Sequence, residues 1–284
     1  MSDVIDAAPA AELRGPFRTP RNAFQQAKGS IHNDAIASKL GFKGGTVPGS
    51  VHMDQFVPLL LQIHGEAWWR RGDISLYFTQ ATVDAEDVRA VVAPGEQRAR
   101  LSMFNAAEAL ICRGTASARA PDSLSEVSRM VVDQRPAARE NLRILAAISP
   151  GEETAGIPLR LETAKLDEAL ERLTEPLDLY RREHVLPPSH VVGLAHQARS
   201  GALAKAGPGV GLFGALEVRH YQGPLHAGVD YVGRTKLLKL TESPKTESAW
   251  YDVVVSDPAS GRDLACVSFM IRFMKASSPL WTDA

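Results

Sequence analysis

Apolar positions along the chain fall into two similar runs. In the first, an irregular stretch over residues 22–45 leads into Val47-Pro48-Gly49. Val51, Phe56, Leu59, Leu60 and Ile63 then recur near helical spacing, which predicts a helix from Ser50 to about His64. Four segments follow, over 74–83, 87–93, 97–104 and 109–118, with Pro94-Gly95 and Asn105 as turn residues. Partial alternation and these turns predict strands. The second run repeats the order. Pro187-Pro188 precedes a helical pattern over 189–205, and a Gly/Pro loop (AGPGVG) closes it. Strand patterns then cover 212–221, 230–240, 248–256 and 264–273, with a hairpin turn in PASGR at 258–262.

The two runs are offset by roughly 140 residues, the signature of a duplicated supersecondary unit. One helix lying on a long antiparallel sheet is the hot-dog architecture, so the predicted fold is α+β, a double hot dog. Joining the two sheets side by side covers one open edge of each. On this reading residues 1–20 are a mobile tail. Residues 21–120 form the N-terminal unit with the candidate site, and 188–284 form a C-terminal unit without chemistry of its own. Residues 121–187 are a linker with helices, one of them predicted from a charged pattern over 161–174. The alternative, that this stretch belongs to the second unit, stands beside it.

Composition narrows the function classes. The 284 residues are 44% hydrophobic and 23% charged, which is the balance of a folded globular chain rather than a disordered one. With 32 Lys+Arg against 33 Asp+Glu the net charge is −1, so no global basic field exists to hold nucleic acid. Two cysteines, Cys112 and Cys266, make neither a disulfide framework nor a zinc pattern, which points to a reducing, cytoplasmic setting. No apolar stretch reaches the roughly 18 residues of a membrane span. Nucleophile-elbow, phosphate-loop and zinc-protease motifs are missing, and the position of GPGVG after a helix is wrong for a dinucleotide site. No cofactor and no metal are expected.

The strongest local signal is GSIHNDAIASKLGFKGGTVPGSVHMDQ, residues 29–55. It resembles the active-site region of MaoC-like enoyl-thioester hydratases and dehydratases. In that family D-x-N-P-x-H-x-D/N is followed by A-x-x-x-G-F/Y, a glycine-rich turn and P-G at the start of the central helix. Ser30-Ile31-His32-Asn33-Asp34, then Ala35 to Phe42, then Gly44 to Gly49 occupy those parts here. The close resemblance covers this stretch alone; strand order extends it over the first half and, by duplication, the second.

The resemblance implies addition or removal of water at the α,β position of an acyl thioester, carried by coenzyme A or acyl carrier protein. His32 is then the acid/base group, since a neutral imidazole can take or give a proton near pH 7. The position of the family's catalytic aspartate is Ala27, five residues before His32. Asp54 is the candidate substitute carboxylate. β-Hydroxyacyl-carrier-protein dehydratases carry an acidic residue at that point of the helix, although their histidine would fall near Leu40. The bland alternative for Asp54 is a helix-start carboxylate that favours the macrodipole.

Ser30, Asn33, Gly49, Ser50 and His52 complete the expected substrate-binding set. Gly49 lets a carbonyl approach the backbone, and the first N–H groups of a helix lack internal partners and can stabilise an oxyanion. His52 is expected to line the pocket or to be structural. Asp34 is read as an N-cap for residues 35–40 or as a group orienting His32. Trp68-Trp69 with Arg70-Arg71 reads as a packed helix end, the alternative being a tunnel mouth. Two other functions remain open: a hot-dog thioesterase using Asp54, and a non-catalytic acyl- or partner-binding module, motivated by Ala27. A fused double unit is complete as a monomer, and two such chains can still pair as a homodimer.

Overall fold

A computed structural model describes residues 11–27, 29–119 and 122–282. Ten strands form one antiparallel sheet: β1 (Leu13–Arg14), β2 (Asp73–Phe78), β3 (Val88–Ala93), β4 (Ala99–Asn105), β5 (Leu110–Ser117), β6 (Glu153–Arg160), β7 (Gly211–His220), β8 (Asp230–Glu242), β9 (Thr246–Ser256) and β10 (Asp263–Met274). Their order is β1-β3-β4-β5-β2-β7-β10-β9-β8-β6. The two halves mirror each other about the β2–β7 seam, where Ile74 pairs with Val218 and Leu76 with Leu216. Each predicted strand is present within a few residues, and the two sheets are joined side by side as expected.

The pairing changes two expectations about the flanks. Residues 1–10 lie outside the described residues, but 11–20 are not a tail. Leu13 and Arg14 pair with Val92 and Val91, and Arg18 bridges Val88. The stretch expected as a linker with helices also supplies β6, which runs along β8 with Leu159 opposite Tyr231. The physical reason is the same twice. β3 and β8 are strand edges with unpaired backbone groups, and a nearby segment satisfies them. Between the halves lie α5 (Glu126–Asp133), α6 (Thr163–Leu170) and α7 (Asp178–Arg182), so the charged pattern over 161–174 does form a helix.

The central helix of the first half is broken where one was predicted. After the short α1 (Asp34–Lys39), α2 (Gly49–Asp54) ends at Gln55 and α3 (Val57–His64) begins after Phe56. Pro58 is the cause. In a continuous helix its ring would meet the carbonyl of Asp54 and its missing N–H would leave that carbonyl unbonded. A further helix, α4 (Ala67–Arg71), buries Trp68 and Trp69 while Arg70 and Arg71 stay exposed, which is the packed helix end. The second half is broken likewise, into α8 (Pro188–His196) and α9 (Arg199–Leu203).

Helices α2 and α8 pack against each other and lie on one face of the sheet. One core includes Phe56 and Leu60 from the first half, Leu76 and Leu216 at the seam, and Val191, Tyr251 and Phe269 from the second. On the opposite face α5 buries Val127 against Ala215, Trp250 and Met270. That alternation, Ala215 to one face and Leu216 to the other, is the period of a β-strand.

Candidate active site

Strand β2 leaves the ladder after Phe78, five residues before the predicted end. Thr79 and Gln80 both donate from the backbone to Ile111 O, and the chain swings across to the loop before α2. There Val47 N donates to Thr82 O at 2.9 Å, and Thr46 bridges Val83. Thr46 N in turn donates to Ile31 O at 3.1 Å. This small backbone clasp holds the His32 segment beside the start of α2. The His32 carbonyl accepts from Asn22 Nδ2 at 2.8 Å, and the His32 N–H faces Ser30 Oγ at 3.3 Å.

The His32 ring is fixed by a 2.7 Å bond between Nδ1 and the Thr46 carbonyl. A carbonyl only accepts, so Nδ1 carries the hydrogen and Nε2 carries the lone pair. Burial lowers the pKa of His32 below its ordinary value, partly opposed by the Thr46 bond. The imidazole is therefore neutral at pH 7, a base with one committed and one available nitrogen. Phe24 packs beside it, ring centroids 5.8 Å apart.

His32 lines a cavity of about 1100 Å³ between the two halves. Ser30, Ala27, Gly49, His52, Phe78 and Thr82 line the first-half end, and His196, Phe213, Leu203 and Ile271 the second-half end. Gly49 is there for a steric reason: a Cβ on it would stand 2.8 Å from the Phe78 ring. His52 projects from α2 with its Nε2 2.8 Å from Thr82 Oγ1, and burial pushes its pKa down to about 4. It is a neutral, pocket-lining group. Ser50 is buried and does not line the cavity.

Asn33 also lies off the cavity. It is the N-cap of α1, accepting from Ala35 and Ile36 N–H, and its Nδ2 donates to Gln25 O. The cap is thus Asn33 and not Asp34, because Asn33 has the extended backbone that an N-cap needs. Asp34 instead accepts from Gly45 N at 2.7 Å, so the hydrogen bond that orients His32 comes from Thr46.

Asp54 is not brought to His32's cavity. It is 1% exposed, and its Oδ1 accepts from Ser189 N at 2.8 Å, at the start of α8. Burial raises its pKa to about 7 despite that bond. The carboxylate caps the helix of the other half. Asp54 and Gly193 each stand six residues after the proline that precedes their helix, Pro48 and Pro187. Glycine offers α2 no such cap in return. Tyr180 is buried near enough to Asp54 to feel its charge; burial first, and the Asp54 and Glu175 charges second, raise its pKa, and its ring packs edge-on against Trp69 at 5.9 Å. His220 is buried beside Trp68 and Trp69. Of the two symmetry-related helix starts, one is open and one is closed.

Sequence reasoning missed Phe78, Thr82, His196, Arg199, Lys245 and Arg272, which all line the cavity. They come from strand ends, helix ends and loops distant in sequence, and carry no local motif. No carboxylate lines the cavity among the described residues. Nor does any cluster of three or more His, Cys, Asp or Glu there suit a metal ion. No helix among them is long and apolar enough to cross a membrane.

Comparison with solved structures bears on the fold. A protein described as a MaoC domain dehydratase from Chloroflexus aurantiacus superposes with a TM-score of 0.62 at 12% identity, over 95% of this chain and 96% of that one. The fold is the double hot dog. A conserved hypothetical protein from Mycobacterium tuberculosis with a double hotdog fold gives 0.60 at 14% identity, over 94% and 97% of the two chains. A MaoC-like dehydratase gives 0.55 at 12% identity, over 94% and 99%. No family model and no curated protein matches the chain by sequence.

Proposed function

We propose that the protein is a hydratase or dehydratase acting at the α,β position of an acyl thioester. The observation that carries the proposal is the His32 imidazole, held neutral by Thr46 with its second nitrogen uncommitted, on a large cavity beside the open start of α2. The thioester carbonyl is bound at the start of α2, whose first N–H groups lack internal partners; the space of the side chain that Gly49 lacks is taken by the Phe78 ring. In the dehydration direction Nε2 of His32 takes the α-proton and returns it to the leaving β-hydroxyl, so that water departs. Hydration is the reverse. Proton transfer by one imidazole replaces the carboxylate and imidazole pair of the family, since position 27 is alanine. The double hot-dog fold shared with MaoC-like dehydratases supports the same reaction class.

The thioesterase reading loses support because its carboxylate, Asp54, faces α8. A binding module without chemistry is the second reading, favoured by the cavity's lack of a carboxylate. The two are separated with a panel of enoyl-CoA substrates, by following loss of the conjugated-thioester absorbance beside a thiol dye. The expected result is absorbance loss without thiol, reduced about 10²-fold or more in His32→Ala. Thiol release in wild type, or equal turnover in His32→Ala, would overturn the proposal.

A further inference from the structure

The charge around the cavity is one-sided. Arg199, Lys245 and Arg272 line its second-half end, and no carboxylate lines it anywhere among the described residues. None of the three cations takes part in an ion pair among the described residues, whereas about half of the arginines of the chain do.

Arg272 is the most constrained of them. It lies on β10 opposite Leu212 and is half-buried. Its guanidinium sits over the Tyr77 ring at 5.0 Å, and Nη1 points to Phe78 O at 3.4 Å. Gly214 makes room for it, since a Cβ there would stand 2.7 Å from Arg272 Nε. The fork is thus held in place by an aromatic face, one weak carbonyl contact and a missing side chain. A guanidinium has five N–H donors, and a carbonyl satisfies one. Partial burial of a cation without a counter-ion is unfavourable, and a planar fork of this kind matches an oxyanion pair. Phe78 connects this group to the reaction centre: its carbonyl faces Arg272 and its ring abuts Gly49.

We propose that Arg272, on the cavity that Arg199 and Lys245 also line, binds an anionic group of the substrate, a carboxylate or phosphate oxygen pair, and so selects which thioesters enter. This rests on the reading of the cavity as a thioester site. The anion comes either from a carboxylate at the far end of the acyl group or from the phosphates of the carrier. Both sources present the same chemistry to the fork.

Four saturated ligands separate the sources by calorimetric titration: a dicarboxylic acyl-CoA, a neutral acyl-CoA of equal length, and the two matching pantetheine thioesters, which lack phosphates. Wild type, Arg272→Gln and Arg272→Lys are compared. Arg272→Gln is expected to weaken binding of anion-bearing ligands by about tenfold or more, with the neutral pantetheine thioester unchanged as the control for folding. Arg272→Lys keeps part of the affinity, as a point charge without the fork. Selective loss for both dicarboxylic ligands assigns the anion to the acyl group; selective loss for both CoA ligands assigns it to the carrier. Arg272→Gln binding all four like wild type overturns the anion site and leaves the thioester reading standing. Wild type that binds none of the four overturns both.

Discussion

The bond from His32 to the Thr46 carbonyl sets both the tautomer and the charge of the one imidazole that the proposal uses. Its lowered pKa places loss of the basic form below the ordinary imidazole range near 6.5. The acid limb of kcat/KM is therefore expected below pH 6.5, and any residual rate of His32→Gln should lack that limb. A pH–rate profile of the two proteins checks this.

Asp54 makes the opposite prediction. Its folded pKa of about 7 lies above the ordinary aspartate value of 3.8, so the folded state holds a proton that the unfolded chain has lost. Its contribution to stability is complete below pH 4 and declines as pH rises towards 7. Asp54→Asn keeps an oxygen acceptor for Ser189 N–H and removes the titration. The variant should lack this decline, and at pH 7 and above it should be at least as stable as wild type. It should also retain turnover, because the side chain caps α8 and does not line the cavity. Denaturant midpoints across pH 4–8, with turnover at one pH, test both statements. A variant folded but inactive would restore the catalytic role that position suggests in the sequence.

At the scale of elements, the site depends on where helices and strands stop. The break between α2 and α3 follows from Pro58 and confines α2 to the six residues that meet α8. The early end of β2 carries Thr82 across to His52 and Val83 to Thr46, the residue that holds the His32 ring. The contact between these two devices is Gly49 against Phe78. Gly49→Ala should cost about 1–3 kcal/mol through overpacking and lower turnover with it. Phe78→Leu in the same chain should recover part of both losses, because the ring atoms that clash are removed. A double-mutant cycle of stability and rate measures the coupling; additive effects would place the two residues apart.

At the scale of the whole molecule, the two halves share one core and one sheet, so neither is complete alone. The seam is reinforced on its outer face. Glu217 and Ser75 are register partners across it, and Ser75 Oγ donates to Glu217 at 3.0 Å. Ser125 Oγ donates to the same carboxylate at 2.7 Å, and Val127 N donates to Ser75 Oγ, which ties the start of α5 over the seam. Unfolding is expected as a single transition. Leu216→Ala, at a fully buried seam position, should lower the whole transition by about 2–5 kcal/mol rather than splitting it. Two resolved calorimetric transitions would show that the halves unfold independently.

Much of this was determined along the chain itself. Strand periodicity, turn residues and the repeated helix-then-strands order specified the double unit, because alternation and helical spacing are local consequences of which face is buried. The segment around His32 was legible for the same reason: its cap, its glycines and its Pro-Gly helix start are close neighbours in sequence. Tertiary structure decided the rest. A carboxylate two residues from His52 could face either the cavity or the other half, and only the packing of α2 on α8 sends Asp54 to Ser189. Thr82, His196 and Arg272 converge on one cavity from three distant segments, and no spacing in the sequence encodes that. Residues 13–14 and 153–160 became strands because β3 and β8 had open edges, a demand that exists only once the sheet has formed.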